Sequence, residues 1–124
     1  MDQDVETRLR AALREALKSR DVVAAFAVRS ALGAIGNAEA VPAVPGQAGT
    51  ALPADSPYVA GGTAGAGATE ASRRPLSPDE ARAIVEAEIS ERESTADQYQ
   101  QAGHADRADR LRREARILRD VLAG

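Results

Sequence analysis

Glu88 and Arg92 stand four residues apart in a run whose spaced neighbours are apolar: Ala81, Ile84, Val85, Ala96, Tyr99 and Ala102. On a helix advancing about 100° per residue, all of these share one face. Glu before Arg at this spacing is the favourable order for an ion pair along a helix. Arg29 is set in the same way between Val22, Phe26 and Gly33. Charged residues on two apolar seams predict a shared buried network, with Glu88 between Arg29 and Arg92. Such a network can fix register and partner choice without any chemistry. Its functional use would be contact of Arg29 or Arg92 with an anionic partner.

A second charged cluster follows. Arg110, Arg113 and Arg116 point away from a seam of leucines and are interleaved with Asp106, Asp109, Glu114 and Asp120. The pattern suits a mixed solvated face, or a strip that docks RNA or protein. Reactive chemistry is harder to assemble. His104 is the only histidine and cysteine is absent, so thiol catalysis, disulfides and cysteine-bound zinc are excluded. A lone histidine at a turn predicts no metal site, and no cofactor is expected. No Walker A loop, GxGxxG after a strand or GxSxG elbow occurs. The glycines of residues 61–67 do not lie between a strand and a helix. No side chains are spaced for nucleophilic catalysis, so the chain is expected not to be an enzyme by itself.

The elements that must carry these residues read as helices. Val5, Leu9, Ala12, Leu13, Ala16 and Leu17 recur at three- and four-residue spacing, which predicts a first helix over Asp2 to Ser19. Asp21 is the expected N-cap of a second, Val22 to Ala40. That helix is apolar on two sides: Val22, Ala25, Phe26, Gly33 and Gly36 mark one, and Val28, Leu32 and Ile35 the other. The two glycines predict close approach by a neighbouring helix. Ser77-Pro78-Asp79-Glu80 gives a capping box with proline at the first helical position. The third helix is expected to run to Ala102, with Gly103 as the left-handed turn residue. The fourth, Ala105 to Leu122, carries the stripe Ala108, Leu111, Ala115, Leu118 and Leu122. Ile117 lies off that stripe and suggests a second packing surface.

Between the helical zones, residues 41–75 hold five of the six prolines and six of the ten glycines. This composition cannot bury enough apolar surface to offset ordering entropy and predicts a flexible linker. The expected organisation is all-α: an N-terminal helical hairpin (1–40), a linker (41–75) and a C-terminal hairpin (76–124), together one four-helix domain. Aromatics make up 2% of the 124 residues, so the core must be thin and aliphatic. A thin core makes a homo-oligomer plausible. The net charge of −3 arises wholly in residues 76–124, which hold eleven acidic and eight basic side chains. No basic tail marks a nucleic-acid binder. There is no apolar run long enough to span a membrane and no secretory leader pattern; a cytoplasmic protein is expected.

One family combines these features. The run from Arg82 through Glu86, Glu88, Glu91 and Arg92 to Ala96, Tyr99 and Ala102-Gly103-His104 resembles the YqeY-like family. The next helix, with Asp106, Ala108, Leu111, Glu114, Leu118 and Leu122, does so too. Leu13 to Lys18, Asp21, Val28-Arg29-Ser30-Ala31-Leu32 and Asn37-Ala38-Glu39 look like that family's first two helices. The family is related to the C-terminal tail of the GatB subunit of the glutamine-dependent tRNA amidotransferase. The resemblance implies an all-α fold and an accessory link to tRNA or to amidotransferase-type complexes. A family label would suggest a carbon–nitrogen ligase with glutamine as amido-N-donor, but no residue here matches that enzyme's amidase or kinase centres. The other reading is a protein–protein interaction or self-associating module with no RNA role.

Overall fold

The computed structural model describes residues 4–40 and 75–124. They form four helices: α1 (Val5–Ser19), α2 (Val22–Ala40), α3 (Pro78–Gln101) and α4 (Ala105–Ala123). No strand occurs among the described residues. The linker expected over 41–75 lies, except for its last residue, outside them. The chain divides into two units, Met1–Ile35 with Ser77–Gly124, and Gly36–Leu76. The core and the site described below belong to the first.

Each helix boundary has a local cause. The Asp4 carboxylate accepts the Thr7 N–H at 2.7 Å and so caps α1. That bond holds the Asp4 carboxyl below its ordinary range, because it favours the charged form. Helix α1 ends in a Schellman turn. The Arg20 N–H reaches Leu17 O at 3.2 Å and the Asp21 N–H reaches Ala16 O at 2.8 Å. The turn residue is Arg20, at φ 60°, a conformation that glycine adopts far more readily. Asp21 then caps α2, accepting the Ala24 N–H at 3.1 Å.

The capping box forms as expected. Ser77 Oγ accepts the Glu80 N–H at 3.1 Å, and Glu80 Oε1 accepts the Ser77 N–H at 2.9 Å. At the other end of α3, Gly103 takes φ 86°. The His104 N–H reaches Tyr99 O at 2.8 Å and the Gly103 N–H reaches Gln100 O at 3.1 Å. This second Schellman turn folds α4 back along α3.

The α3–α4 hairpin is the most extensive helix pair, and α1 packs on both of its helices. Leu9, Val28, Ile35, Val85 and Leu118 are fully buried, each contributing about 1.5–3 kcal/mol by leaving water. Eight of the sixteen buried apolar residues are alanine, so the core is thin. Of α4's expected stripe, Ala108, Ala115, Leu118 and Leu122 are buried and Leu111 is half-buried. Ile117 lies, with Ala11, Ala12 and Val121, along a cleft of about 390 Å³ between α1 and α4. Across the same contact the Arg8 guanidinium donates to Leu122 O at 3.0 Å, satisfying a carbonyl that the helix end leaves unpaired.

Helix α2 resolves its two apolar sides in one way only. Ala25, Ala27, Val28, Ala31 and Ile35 are buried. Val22 and Phe26, expected inward, are 71% and 53% exposed. The glycine expectation fails with them: Gly33 is exposed, and a Cβ added at Gly33 or Gly36 meets nothing within 4 Å. Gly33→Ala should therefore raise stability by about 1 kcal/mol, through helix propensity alone. Ser77→Ala should lower it by about 1 kcal/mol through loss of the cap. Urea denaturation followed by circular dichroism reads both changes.

Candidate functional site

The inner face of α3 brings Glu88 and Arg92 together. Arg92 is 9% exposed, and its Nη1 donates to Glu88 Oε1 at 2.7 Å and to Glu88 O at 3.2 Å. Their other partners differ from the expected ones. Arg29 is exposed and takes no part. The neighbouring Ser30 supplies the bond from α2, its hydroxyl donating to Glu88 Oε1 at 3.1 Å. The second anion is Glu114, which the sequence pattern assigned to the solvated face of α4. It is 3% exposed, and its Oε1 accepts Arg92 Nε at 2.9 Å. Its Oε2 accepts Arg110 Nε at 3.2 Å.

Both errors have a physical origin. Arg29 shares a stripe with Val22 and Phe26, and all three face outward while Ala25 on the same side is buried. Glu114 is three residues after Leu111 and four before Leu118, so it lies at the border of the leucine seam. That spacing was the available signal. It identifies a position inward enough for burial, given a cation on the facing helix.

The assembled group is a chain of polar contacts, Ser30–Glu88–Arg92–Glu114–Arg110, which joins α2, α3 and α4. Two carboxylates face two guanidiniums, so the group is neutral as a whole. Both oxygens of the buried Glu114 carry a charged donor, which offsets the desolvation that an isolated carboxylate would suffer. The chain closes on itself, because the Arg110 guanidinium also lies over the Phe26 ring, 5.7 Å from its centroid. Phe26 and Ser30 are one turn apart on α2. The circuit therefore begins and ends on α2.

This geometry changes the expected docking strip. Arg110 is held by Glu114 and Phe26. Arg113 donates to Asp21 Oδ2 at 3.0 Å, tying α4 to the corner between α1 and α2. Arg116 alone of the three is exposed with no such bond among the described residues. Other arginines of α4 brace the hairpin: Arg112 bonds Asp97 at 3.0 Å and Gln100 at 2.9 Å, and Arg119 pairs with Glu93. At the turn, His104 stands edge-on to Tyr99 with centroids 5.9 Å apart, and Arg107 lies over the same ring. Among the described residues no three histidine, aspartate or glutamate side chains gather to hold a metal ion. No helix among them is long and apolar enough to cross a membrane.

The feature that the circuit leaves outside is apolar. Leu17, Val22 and Phe26 are 49%, 71% and 53% exposed. They line a groove of about 410 Å³ at the α1–α2 corner, bordered by Arg20 and Arg29. Compared with family models, curated proteins and solved structures, the chain matches none of them.

Removing one partner of the buried pair leaves the other charge unpaired. Glu114→Ala and Arg92→Ala should each destabilise the fold by about 3–5 kcal/mol. Arg29→Ala, at an exposed position, should stay within about 0.5 kcal/mol of the parent. Chemical denaturation of the three variants checks all of these.

Proposed function

We propose that the chain is an accessory helical module that works by docking and has no catalysis of its own. It serves an amidotransferase-type complex of tRNA-dependent amide metabolism. The docking half of this reading is carried by the apolar corner: three large side chains stay in water although buried alanines leave the core short of apolar volume. Exposed apolar patches with a polar border mark interaction surfaces. The partner half is supported by the resemblance of α1–α2 and α3–α4 to the YqeY-like family, whose relative in GatB is the tail of a larger enzyme.

Protein docking is favoured over direct tRNA binding by charge. Most arginines of α4 are paired with carboxylates, and the chain as a whole is acidic. A direct tRNA reading keeps one specific support. Arg20, Arg29 and Arg116 are exposed with no carboxylate partner among the described residues, and such cations can contact phosphates. Carbon–nitrogen ligation with glutamine as amido-N-donor draws no support from the groups described.

Sedimentation of the full chain with a purified glutamine-dependent tRNA amidotransferase tests the proposal. A complex is expected with the parent chain and should be lost with Phe26→Ala; absence of any complex overturns the partner assignment. Labelled bulk tRNA, titrated at low and moderate salt, should show no binding. Binding that weakens as salt rises would transfer the function to RNA. Release of ammonia from glutamine by the chain alone would overturn the non-catalytic reading.

A further inference from the structure

The groove at the α1–α2 corner has a floor of Leu17, Val22, Ala25 and Phe26 and two cationic ends, Arg20 and Arg29. The one carboxylate on its border, Asp21, is already engaged by the Ala24 N–H and by Arg113. Neither Arg20 nor Arg29 has a carboxylate partner among the described residues. The groove thus presents an apolar strip with an unneutralised positive charge at each end. We infer that its occupant is an acidic amphipathic helix of a partner protein. Apolar side chains of that helix fill the floor, and carboxylates at its two ends meet Arg20 and Arg29. This inference rests on the docking reading above and specifies the chemistry of the partner.

Length fits this occupant. Val22, Phe26 and Arg29 follow one another at i, i+4 and i+7 on one face of α2. They span about 10 Å, two turns of an α-helix, which matches anchors at i, i+3 or i+4 and i+7 on a helix laid alongside.

Arg20 takes the left-handed turn at φ 60°, a conformation that glycine adopts at less cost, so the Arg20 side chain can be exchanged for glycine without disturbing the turn.

Two other occupants fit less well. Nucleic-acid bases stack on flat aromatic faces, but one face of Phe26 is covered by Arg110 and the rest of the floor is aliphatic. A second copy of this chain, related by a twofold axis, would bring Arg20 and Arg29 of both copies into one interface whose one bordering carboxylate, Asp21, is already engaged by Arg113.

The test is selection of a random 16-residue peptide library, displayed on phage, against the immobilised full chain. Enriched peptides should carry apolar residues at i, i+3 or i+4 and i+7, with Asp or Glu at the ends of that pattern. A synthetic copy of the leading peptide is then titrated by fluorescence anisotropy. Phe26→Ala should weaken it at least about tenfold, as loss of a central aromatic anchor does. Arg29→Glu should weaken it about tenfold, because a reversed charge now repels the carboxylate.

Arg20→Gly is the decisive control. It should weaken binding about threefold or more, as loss of one border charge does, while the melting temperature holds or rises because glycine suits the turn. Affinity should fall as salt is added.

Enrichment of basic or uncharged peptides, no enrichment, or indifference to Phe26→Ala overturns the inference. So does tighter binding of a 12-nucleotide single-stranded RNA in the same assay. A peptide that needs Phe26 but not acidic ends overturns the inference and leaves the docking function standing. Acidic peptides that bind as described, beside an amidotransferase that does not, overturn the named complex alone.

Discussion

The pair between Arg92 of α3 and Glu114 of α4 is the contact on which the first unit depends. It is buried in a core whose apolar residues are half alanine. An alanine buries far less surface than a leucine, so the usual apolar contribution per helix contact is small. Charged groups in such a place must be matched completely or they destabilise the fold. Here Glu114 uses both oxygens, and Arg92 divides its donors between Glu114 and Glu88. Ser30 and Arg110 extend the match to α2, so one neutral circuit sets the register of three helices. A shift of α2 by one turn would leave Glu88 without its hydroxyl and Arg110 without its ring.

That constraint also explains what is left outside. Helix α2 is apolar around much of its circumference, and only one side can face the core. The side carrying Ala27 and Ala31 turns in, and beside it the Ser30 hydroxyl reaches Glu88. The bulkier Val22 and Phe26 go to the surface, where Arg110 covers one face of the ring. The apolar corner is thus a consequence of how the polar circuit is satisfied. It is also the surface on which the proposed docking rests.

Much of this was legible in the sequence wherever the cause is local. The Ser77–Glu80 box, the turn at Gly103 and the cap at Asp21 depend on residues within five positions of one another, and the leucine stripe of α4 on successive steps of three or four. The Glu88–Arg92 pair was legible for the same reason. Arg29 was misplaced because periodicity finds the stripes of α2 but does not choose between them; that choice is made by α3 and α4, distant in the chain. Glu114 was read as solvated because its neighbours in sequence are charged, although its spacing to Leu111 and Leu118 put it at the seam. Arg110 and Arg113 fit a mixed solvated face or a docking strip in the sequence for the complementary reason. Their partners, Phe26 and Asp21, lie more than eighty residues away.

The account's central claim is that Arg92 is locked between two carboxylates inside the fold, and hydrogen exchange at the arginine Nε–H groups tests it most directly. In a nitrogen–proton correlation spectrum of the full chain, the Arg92 Nε–H should exchange far more slowly than that of exposed Arg29, and its protection should vanish when Glu114 is replaced by glutamine. Exchange of the Arg92 Nε–H as fast as that of Arg29 would contradict the buried pair, and with it the register of the three helices.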